Sequence, residues 1–158
     1  MDDLARRVGE RLAASGQVLA TAESCTGGWV AQAITAIAGS SDWFDRGFVT
    51  YSNEAKQEML GVRAETLKRH GAVSEETARE MAQGALSRSK ATLALSVTGI
   101  AGPAGGSPEK PVGMVCFAWA GKQGARSETL RFSGDRESVR RQSVLHALEG
   151  VLKALDGR

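Results

Sequence analysis

The stretch ATLALSVT, residues 91–98, decides the fold class of this 158-residue chain. It is almost continuously apolar, which is typical of a parallel strand covered by helices on both faces. A loop rich in Gly and Pro begins directly after it and runs over residues 99–111. A buried strand that ends in such a loop indicates the interior of an α/β sheet.

The elements on either side of this strand alternate between helix and strand. Apolar residues at helical spacing predict helices near the N-terminus, over residues 26–37, after Ser74, and from about Gly134 onward. The predicted strands cover residues 18–23, 47–52, 91–98, 112–120 and 127–133. Strands separated by helices pair in parallel, whereas the short GKQG connection after the fourth strand implies an antiparallel pair. The sequence therefore predicts a single domain over residues 1–158, a three-layer α/β/α sandwich with a mixed, mostly parallel five-stranded sheet.

Composition narrows the class of protein. Hydrophobic residues make up 42% of the chain and charged residues 24%, which is the balance of a globular domain. The net charge of +2 is small and Lys and Arg are dispersed, so we expect no nucleic-acid partner. No apolar run approaches the roughly 20 residues of a membrane span. The N-terminal segment MDDLARRVGERL lacks the features of a secretory signal, so we expect a cytoplasmic protein with no membrane partner.

Cysteine and histidine are too few, and too widely spaced, for a recognisable metal site. The chain has two cysteines, Cys25 and Cys116, and two distant histidines, His70 and His146. This spacing matches no known pattern of metal ligands. In a cytoplasmic setting two free thiols are expected rather than a disulfide. No metal and no other cofactor is predicted.

Three segments at the ends of the predicted parallel strands are the candidates for a binding site. Ligands of such sheets collect beyond the carboxyl ends of the strands. That rule selects residues 23–28, 51–56 and 98–106. The unusual parts of the sequence lie in these same three places.

The first segment is AESCTGG, residues 22–28, which places Ser24 between a strand and a helix. A serine there can attack a carbonyl while the N–H groups of Thr26, Gly27 and Gly28 hold the oxyanion. The structural alternative is that Ser24 caps the helix and the glycines allow close packing. The heptapeptide alone leaves both interpretations open.

The second segment is GSSDWFDRGFVTYSNEAK, residues 39–56. Lys56 in a partly dry pocket can serve as a base, and serine paired with lysine is an established alternative to serine paired with histidine. The alternative is that Lys56 is a solvated residue on the surface of a helix.

Two further segments suit a phosphate group. The glycine-rich loop after residue 98 can bring backbone N–H groups close to a phosphate, or it is only a long connection. In FSGDRESVRR, residues 132–141, Arg136 and Arg140 lie on one face near a helix start. Such a pair suits a phosphate or carboxylate, or it forms an ordinary surface cluster of ion pairs.

Five segments follow one another along the chain: AESCTGG, GSSDWFDRGFVTYSNEAK, AVSEETAREMA, VTGIAGPAGGSPEKPVG and FSGDRESVRR. Together they closely resemble the CinA C-terminal domain family, over about residues 5–152 and with no departure at the motif positions. Stand-alone members are nicotinamide-nucleotide amidohydrolases (NMN deamidases). The resemblance therefore implies hydrolysis of nicotinamide mononucleotide to nicotinic acid mononucleotide and ammonia, in pyridine nucleotide recycling. It also implies a three-layer fold and a deamidation that needs no metal.

The resemblance implies a site made of Ser24, Ser41, Tyr51, Lys56, Thr98 and an arginine of the GDRxxVR segment. In the resulting hypothesis Ser24 attacks the carboxamide, Lys56 acts as the base and Tyr51 helps to relay the proton. The N–H groups of residues 25–28 hold the oxyanion. Substrate binding is assigned to Thr26, Gly27, Gly28, Thr98, Gly99, Gly102, Gly105, Arg136 and Arg140.

Other assignments stay open at this point. Ser41 is the rival nucleophile, and Cys25 is a second one because a helix N-terminus is expected to lower its pKa. Against Cys25, no histidine lies nearby in the sequence and the resemblance favours a serine. The rival function is a non-catalytic nucleotide-binding module linked to competence or recombination. Trp43, Phe44 and the apolar strand edges are candidates for a homodimer contact.

Overall fold

The computed structural model describes residues 1–157 and contains a five-stranded sheet between two layers of helices. The strands are β1 (Leu19–Glu23), β2 (Phe44–Val49), β3 (Leu93–Gly99), β4 (Met114–Gly121) and β5 (Gly124–Arg131). The helices are α1 (Asp2–Ala14), α2 (Trp29–Thr35), α3 (Asn53–Leu60), α4 (Ala64–His70), α5 (Glu75–Ser87) and α6 (Arg136–Leu155). A single 3-10 turn, Ser40–Asp42, precedes β2.

The strand order across the sheet is β2-β1-β3-β4-β5. β1 pairs in parallel with both β2 and β3, whereas β4 runs antiparallel to β3 and to β5. β2, β1, β3 and β5 therefore share one direction, and β4 alone is reversed. The predicted sandwich with a mixed, mostly parallel five-stranded sheet is confirmed.

The two faces of β3 show why its sequence is so apolar. Leu93, Leu95 and Val97 face a core that also contains buried residues of α1, α2 and α6. Ala94, from the alternate set, faces a second core with Met81 of α5. Side chains of successive strand residues point to opposite faces, so a strand with helices on both sides is buried along its length and mostly apolar. Its buried Ser96 satisfies its hydroxyl by donating to the carbonyl of Ala78 at 2.6 Å.

The α5 face is packed closely because its residues are small. The Cβ that an alanine would add at Gly84 of α5 would lie 2.0 Å from the carbonyl oxygen of Leu60, at the end of α3. Glycine is therefore required where α5 crosses α3. This contact fixes α3, and with it Lys56, against α5.

Several predicted boundaries were wrong by a few residues, most clearly in the second strand. It spans Phe44–Val49 instead of residues 47–52. The reason is local, since the Ser52 hydroxyl accepts a hydrogen bond from the N–H of Ala55 at 3.0 Å and begins α3. The β-branched and aromatic residues after position 49 therefore belong to the connection between strand and helix.

The expected contribution of Trp43 to a homodimer contact was also wrong. Trp43 is 5% exposed, and its ring packs so closely on Gly9 of α1 that a Cβ there would lie 2.3 Å from it. Phe44 is only partly buried but packs against the same core. The homodimer stays a prediction, without support from these two side chains. Among residues 1–157, no helix combines the length and apolar character needed to cross a membrane.

Candidate active site

A pocket of about 250 Å³ lies where the loops after β1, β2 and β3 meet. The strand register explains the meeting, because Glu23 of β1 lies beside both Val49 of β2 and Val97 of β3. The residues that follow these three positions therefore share one edge of the sheet. The pocket is lined by Ser24, Cys25, Tyr51, Asn53, Lys56, Ala72, Val73, Thr98, Gly99, Ala101 and Arg136.

Ser24 and Lys56 are in direct contact inside this pocket. Lys56 is 1% exposed, and its Nζ donates to Ser24 Oγ at 2.9 Å. The backbone of Ser24 is held by its N–H, which donates to the carbonyl of Val97 at 2.9 Å. The cap of α3 by Ser52 sets the start of the helix and so brings Lys56 to the pocket one turn later. The interpretation of Lys56 as a solvated surface residue was wrong.

The surroundings of Lys56 make its charged ammonium less stable than that of a solvated lysine. Two further acceptors of Nζ are backbone carbonyls, those of Thr50 at 3.0 Å and Tyr51 at 3.2 Å. In the described chain no carboxylate forms an ion pair with this ammonium. Burial lowers the pKa of Lys56 below its ordinary value. A neutral Nζ keeps two N–H groups for the two carbonyls. Its lone pair can then accept the hydroxyl proton of Ser24, which reverses the direction of the hydrogen bond that Nζ donates in the structure.

Glu23 performs the role that the structural alternative assigned to Ser24. Its buried carboxylate accepts from Thr26 Oγ1 at 2.6 Å and from the N–H groups of Val30 at 2.8 Å and Ala31 at 3.0 Å. These two N–H groups belong to the first turn of α2, whose N-cap is Gly28. The N-terminus of α2 is thus satisfied by Glu23, and the hydroxyl of Ser24 is left for the pocket.

Cys25 lines the pocket but is a poor candidate for a nucleophile. Burial raises the pKa of its thiol to about 12. The expectation that a helix N-terminus lowers this pKa was wrong, because α2 begins only at Trp29 and Glu23 occupies its first turn. Cys25 and Cys116 are both free, as predicted, and both are buried.

Tyr51 contributes to the site mainly through its backbone. Its carbonyl accepts from Lys56 Nζ and, at 3.5 Å, from Ser24 Oγ. The side chain is 63% exposed, and its hydroxyl accepts from Arg136 Nη2 at 3.4 Å. Arg136 Nη1 also donates to the carbonyl of Gly102 at 2.8 Å. Tyr51 and Arg136 therefore form the rim of the pocket, beside the glycine-rich loop.

Arg140 lies on the other side of the loop that carries Ser24. Its Nε donates to the carbonyl of Cys25 at 3.1 Å, and its Nη2 donates to that of Thr26 at 3.2 Å. The guanidinium also lies over the ring of Trp29, 5.5 Å from its centroid. Arg140 does not line the pocket. The two arginines, one helical turn apart, thus have different surroundings.

The remaining predicted residues are divided between the pocket and its supports. Thr98 and Gly99 line the pocket, and Thr98 Oγ1 donates to the carbonyl of Ala72 at 2.8 Å. Thr26 is fully buried and directed to Glu23, while Gly105 is exposed in the loop. A positive φ is found at four of these glycines, Gly27 (φ 61°), Gly28 (φ 105°), Gly102 (φ 85°) and Gly105 (φ 95°).

The structure does not bring Ser41 to this pocket. It is exposed in the turn Ser40–Asp42, directly before β2. The start of β2 pairs with the start of β1, because Phe44 lies beside Leu19. Ser41 therefore lies near the opposite edge of the sheet from Ser24, about 17 Å away along the strand at 3.3 Å per residue.

Sequence reasoning missed Glu23 as a structural carboxylate, and it missed Asn53, Ala72, Val73 and Ala101 in the lining. Asn53 belongs to the segment over residues 39–56, and its position shortly after β2 is the feature of the sequence that indicates a place in the pocket. Nothing in the local sequence pattern marks Ala72 and Val73, which reach the pocket through the loop before α5.

Among residues 1–157, no group of three or more His, Cys, Asp or Glu side chains is placed to hold a metal ion.

Comparisons with known proteins identify the family of the chain. Residues 1–155 match the family model described as the CinA C-terminal domain. The chain is 60% identical over 149 residues to the nicotinamide-nucleotide amidohydrolase PncC of Escherichia coli K12, covering 92% of this chain and 89% of that protein.

Solved structures of similar proteins have the same fold as this chain. The competence/damage inducible protein CihA from Agrobacterium tumefaciens superposes with a TM-score of 0.94 and 52% identity, over 98% of this chain and 94% of its own. A CinA superfamily protein from Klebsiella pneumoniae superposes with a TM-score of 0.96 and 43% identity, over 99% of this chain and 98% of its own. The predicted family is confirmed: the chain belongs to the CinA C-terminal domain family.

Proposed function

We propose that this protein hydrolyses the carboxamide of nicotinamide mononucleotide to nicotinic acid mononucleotide and ammonia. The observation that carries the proposal is the contact between the buried Lys56 Nζ and Ser24 Oγ, 2.9 Å apart in a pocket at the carboxyl edge of the sheet. A serine beside an amine with a lowered pKa is one of the nucleophile–base pairs that carry out acyl transfer. The identity to a nicotinamide-nucleotide amidohydrolase supplies the substrate class.

The first half of the proposed reaction forms an ester on Ser24. Neutral Lys56 takes the hydroxyl proton as Ser24 Oγ bonds to the carboxamide carbon, which leaves a negative charge on the carboxamide oxygen. The intermediate then breaks the bond to nitrogen, and Lys56 gives its proton to the departing ammonia. In the second half, Lys56 takes a proton from water as the water oxygen bonds to the ester carbon. The bond from that carbon to Ser24 Oγ then breaks, Lys56 returns the proton to Ser24 Oγ, and the carboxylic acid leaves.

The turn after Ser24 supplies donors for the oxyanion. In the described part of the chain, no backbone carbonyl accepts from the N–H groups of Cys25 or Thr26. By contrast, the N–H of Gly27 is already used, since it donates to the carbonyl of Ser24 at 3.0 Å. The N–H of Gly28 also has no backbone acceptor among the described residues, so the N–H groups of Cys25, Thr26 and Gly28 are the candidates for stabilising the developing charge. Such a contribution is large when the donors are preorganised.

The rim of the pocket is suited to the phosphate of the substrate. Arg136 is exposed there, and a guanidinium has five N–H donors in all. Contacts with the Gly102 carbonyl and the Tyr51 hydroxyl use two of them. The others are available to a phosphate, for which a planar arginine is well matched. Thr98 and Gly99 form the floor beside it.

The proposed roles narrow two of the expectations drawn from sequence and change a third. Ser24 is the nucleophile because Ser41 lies near the other edge of the sheet. Tyr51 acts through its carbonyl, which orients Lys56, rather than by relaying a proton through its hydroxyl. The phosphate is assigned to Arg136 and not to Arg140, because only Arg136 lines the pocket.

The test is release of ammonia from nicotinamide mononucleotide by the purified protein, with plain nicotinamide as the control substrate. We expect sustained turnover of the nucleotide and far slower turnover of nicotinamide, which lacks the ribose phosphate. Binding of nicotinic acid mononucleotide with no ammonia release at micromolar protein would contradict the proposal. That result would support a nucleotide-binding module without catalysis.

A further inference from the structure

The turn over residues 24–28 is held from two sides by charged residues that do not touch the pocket. On the buried side, the Glu23 carboxylate accepts hydrogen bonds from the Thr26 hydroxyl and from two N–H groups in the first turn of α2. Arg140 holds it from α6 through the carbonyls of Cys25 and Thr26. Neither charged side chain lines the pocket, yet both fix the segment between the nucleophile and α2.

The contacts of Glu23 determine the position of Thr26. Glu23 is 1% exposed, and its carboxylate receives three hydrogen bonds but no ion pair among the described residues. A buried carboxylate needs such donors, since it has no water to solvate it. A neutral cap would satisfy one or two donors, whereas Glu23 ties the Thr26 hydroxyl and two helical N–H groups to one point.

The contacts of Arg140 determine the direction of the peptide planes. A trans peptide is planar, so its N–H points opposite to its C=O. Because Arg140 Nε holds the carbonyl of Cys25, the N–H of Thr26 in the same peptide points away from the guanidinium. The N–H groups of Cys25, Thr26 and Gly28 are the three in this turn that have no backbone acceptor among the described residues. The second bond, to the carbonyl of Thr26, fixes the next peptide plane.

We infer that Glu23 and Arg140 are positioning residues, which hold the turn over residues 24–28 so that Ser24 faces Lys56 and the free N–H groups face the reacting carbonyl. The inference rests on the proposed function and deepens it, because it assigns Arg140 to the turn and not to the substrate phosphate. Errors of about 1 Å in such geometry cost about a hundredfold in rate.

The decisive experiment compares Arg140→Met with Arg136→Met, and uses Arg141→Met as the control. Arg141 is the exposed neighbour of Arg140 on α6. For each variant kcat and KM for nicotinamide mononucleotide are measured, and the Kd of nicotinic acid mononucleotide is measured by calorimetry. A positioning residue affects kcat, whereas a phosphate ligand affects binding of the nucleotide in both its forms.

We expect Arg140→Met to lower kcat by about tenfold to a hundredfold and to leave the Kd of nicotinic acid mononucleotide within about threefold. Arg140→Lys, which can reach only one of the two carbonyls, is expected to restore part of kcat. Arg136→Met should instead raise KM and this Kd by about tenfold or more. The control Arg141→Met should match the parent protein in all three constants.

Glu23→Gln tests the other side of the turn. Glutamine keeps the size of the side chain, but its NH2 group cannot accept a hydrogen bond from Thr26 or from the N–H groups of α2. The turn should therefore shift, and kcat should fall with little change in the Kd of the product. An unchanged kcat in both Arg140→Met and Glu23→Gln would overturn the inference. So would a Kd for nicotinic acid mononucleotide that weakens in Arg140→Met as much as in Arg136→Met. If the parent protein releases no ammonia, the proposed function fails first, and that outcome is separate from these patterns.

Discussion

Lys56 Nζ lies 2.9 Å from Ser24 Oγ, although the two residues are 32 positions apart and on different elements. The lysine is buried without an ion-pair partner among the described residues, which is costly for an ammonium and acceptable for a neutral amine. A buried polar contact of this kind is retained where chemistry needs it. In the proposed mechanism this contact supplies the base for Ser24, since neither of the two histidines lines the pocket.

The pH dependence of activity should report on Lys56. Burial lowers the pKa of its ammonium, and only the neutral amine can take the Ser24 proton. The value of kcat/KM should therefore rise with pH through that lowered pKa and level off below the ordinary pKa of lysine. A pH profile of the hydrolysis rate checks this. A rate that falls as the pH is raised over the same range would rule out Lys56 as the base.

Activity should not depend on the thiol of Cys25. Its pKa of about 12 keeps it protonated at neutral pH, and a thiol in that form neither attacks carbonyls nor reacts readily with alkylating reagents. Treatment with iodoacetamide at neutral pH should leave the rate unchanged. Cys25→Ala should keep kcat within about threefold of the parent protein. A loss of several orders of magnitude in that variant would make Cys25 the nucleophile instead.

Gly84→Ala should weaken both the fold and the site. The added Cβ would lie 2.0 Å from the carbonyl oxygen of Leu60, a backbone atom that cannot move without displacing α3. We expect a loss of about 1–3 kcal/mol or more in the free energy of unfolding in urea, with reduced kcat because α3 carries Lys56. The matched control is Gly121→Ala, whose nearest contacts would be at 3.6 Å. Equal stabilities of the two variants would show that α5 does not hold α3 in place.

Much of the fold could be predicted because its signals are local. The nearly continuous apolar run of β3 predicts a strand buried on both faces, and the short connection before β5 predicts antiparallel pairing with β4. The end of β2 could not be placed as well, since residues 50–52 have the side chains of a strand. There the hydroxyl of Ser52 caps α3 and ends the strand, which overrides β propensity.

The site was less predictable because its contacts are distant in sequence. The partners of the buried Lys56 ammonium are Ser24 Oγ and two backbone carbonyls, which lie outside helix α3. The sequence of α3 itself therefore looks like that of any surface helix. Arg136 and Arg140 have the same helical spacing pattern, but the partners of Arg140 are carbonyls more than a hundred positions earlier. Glu23 shows the same problem, since a glutamate at the end of a strand gives no sign that it will be buried.

The most direct test of the central claim is the initial rate of ammonia release from nicotinamide mononucleotide, measured side by side for the parent protein and Ser24→Ala. We predict a fall of at least about a thousandfold in kcat for Ser24→Ala, because a nucleophile acts as one unit with its base. The variant should still bind nicotinic acid mononucleotide, which shows that its pocket is intact. Near-normal turnover by Ser24→Ala would contradict the account.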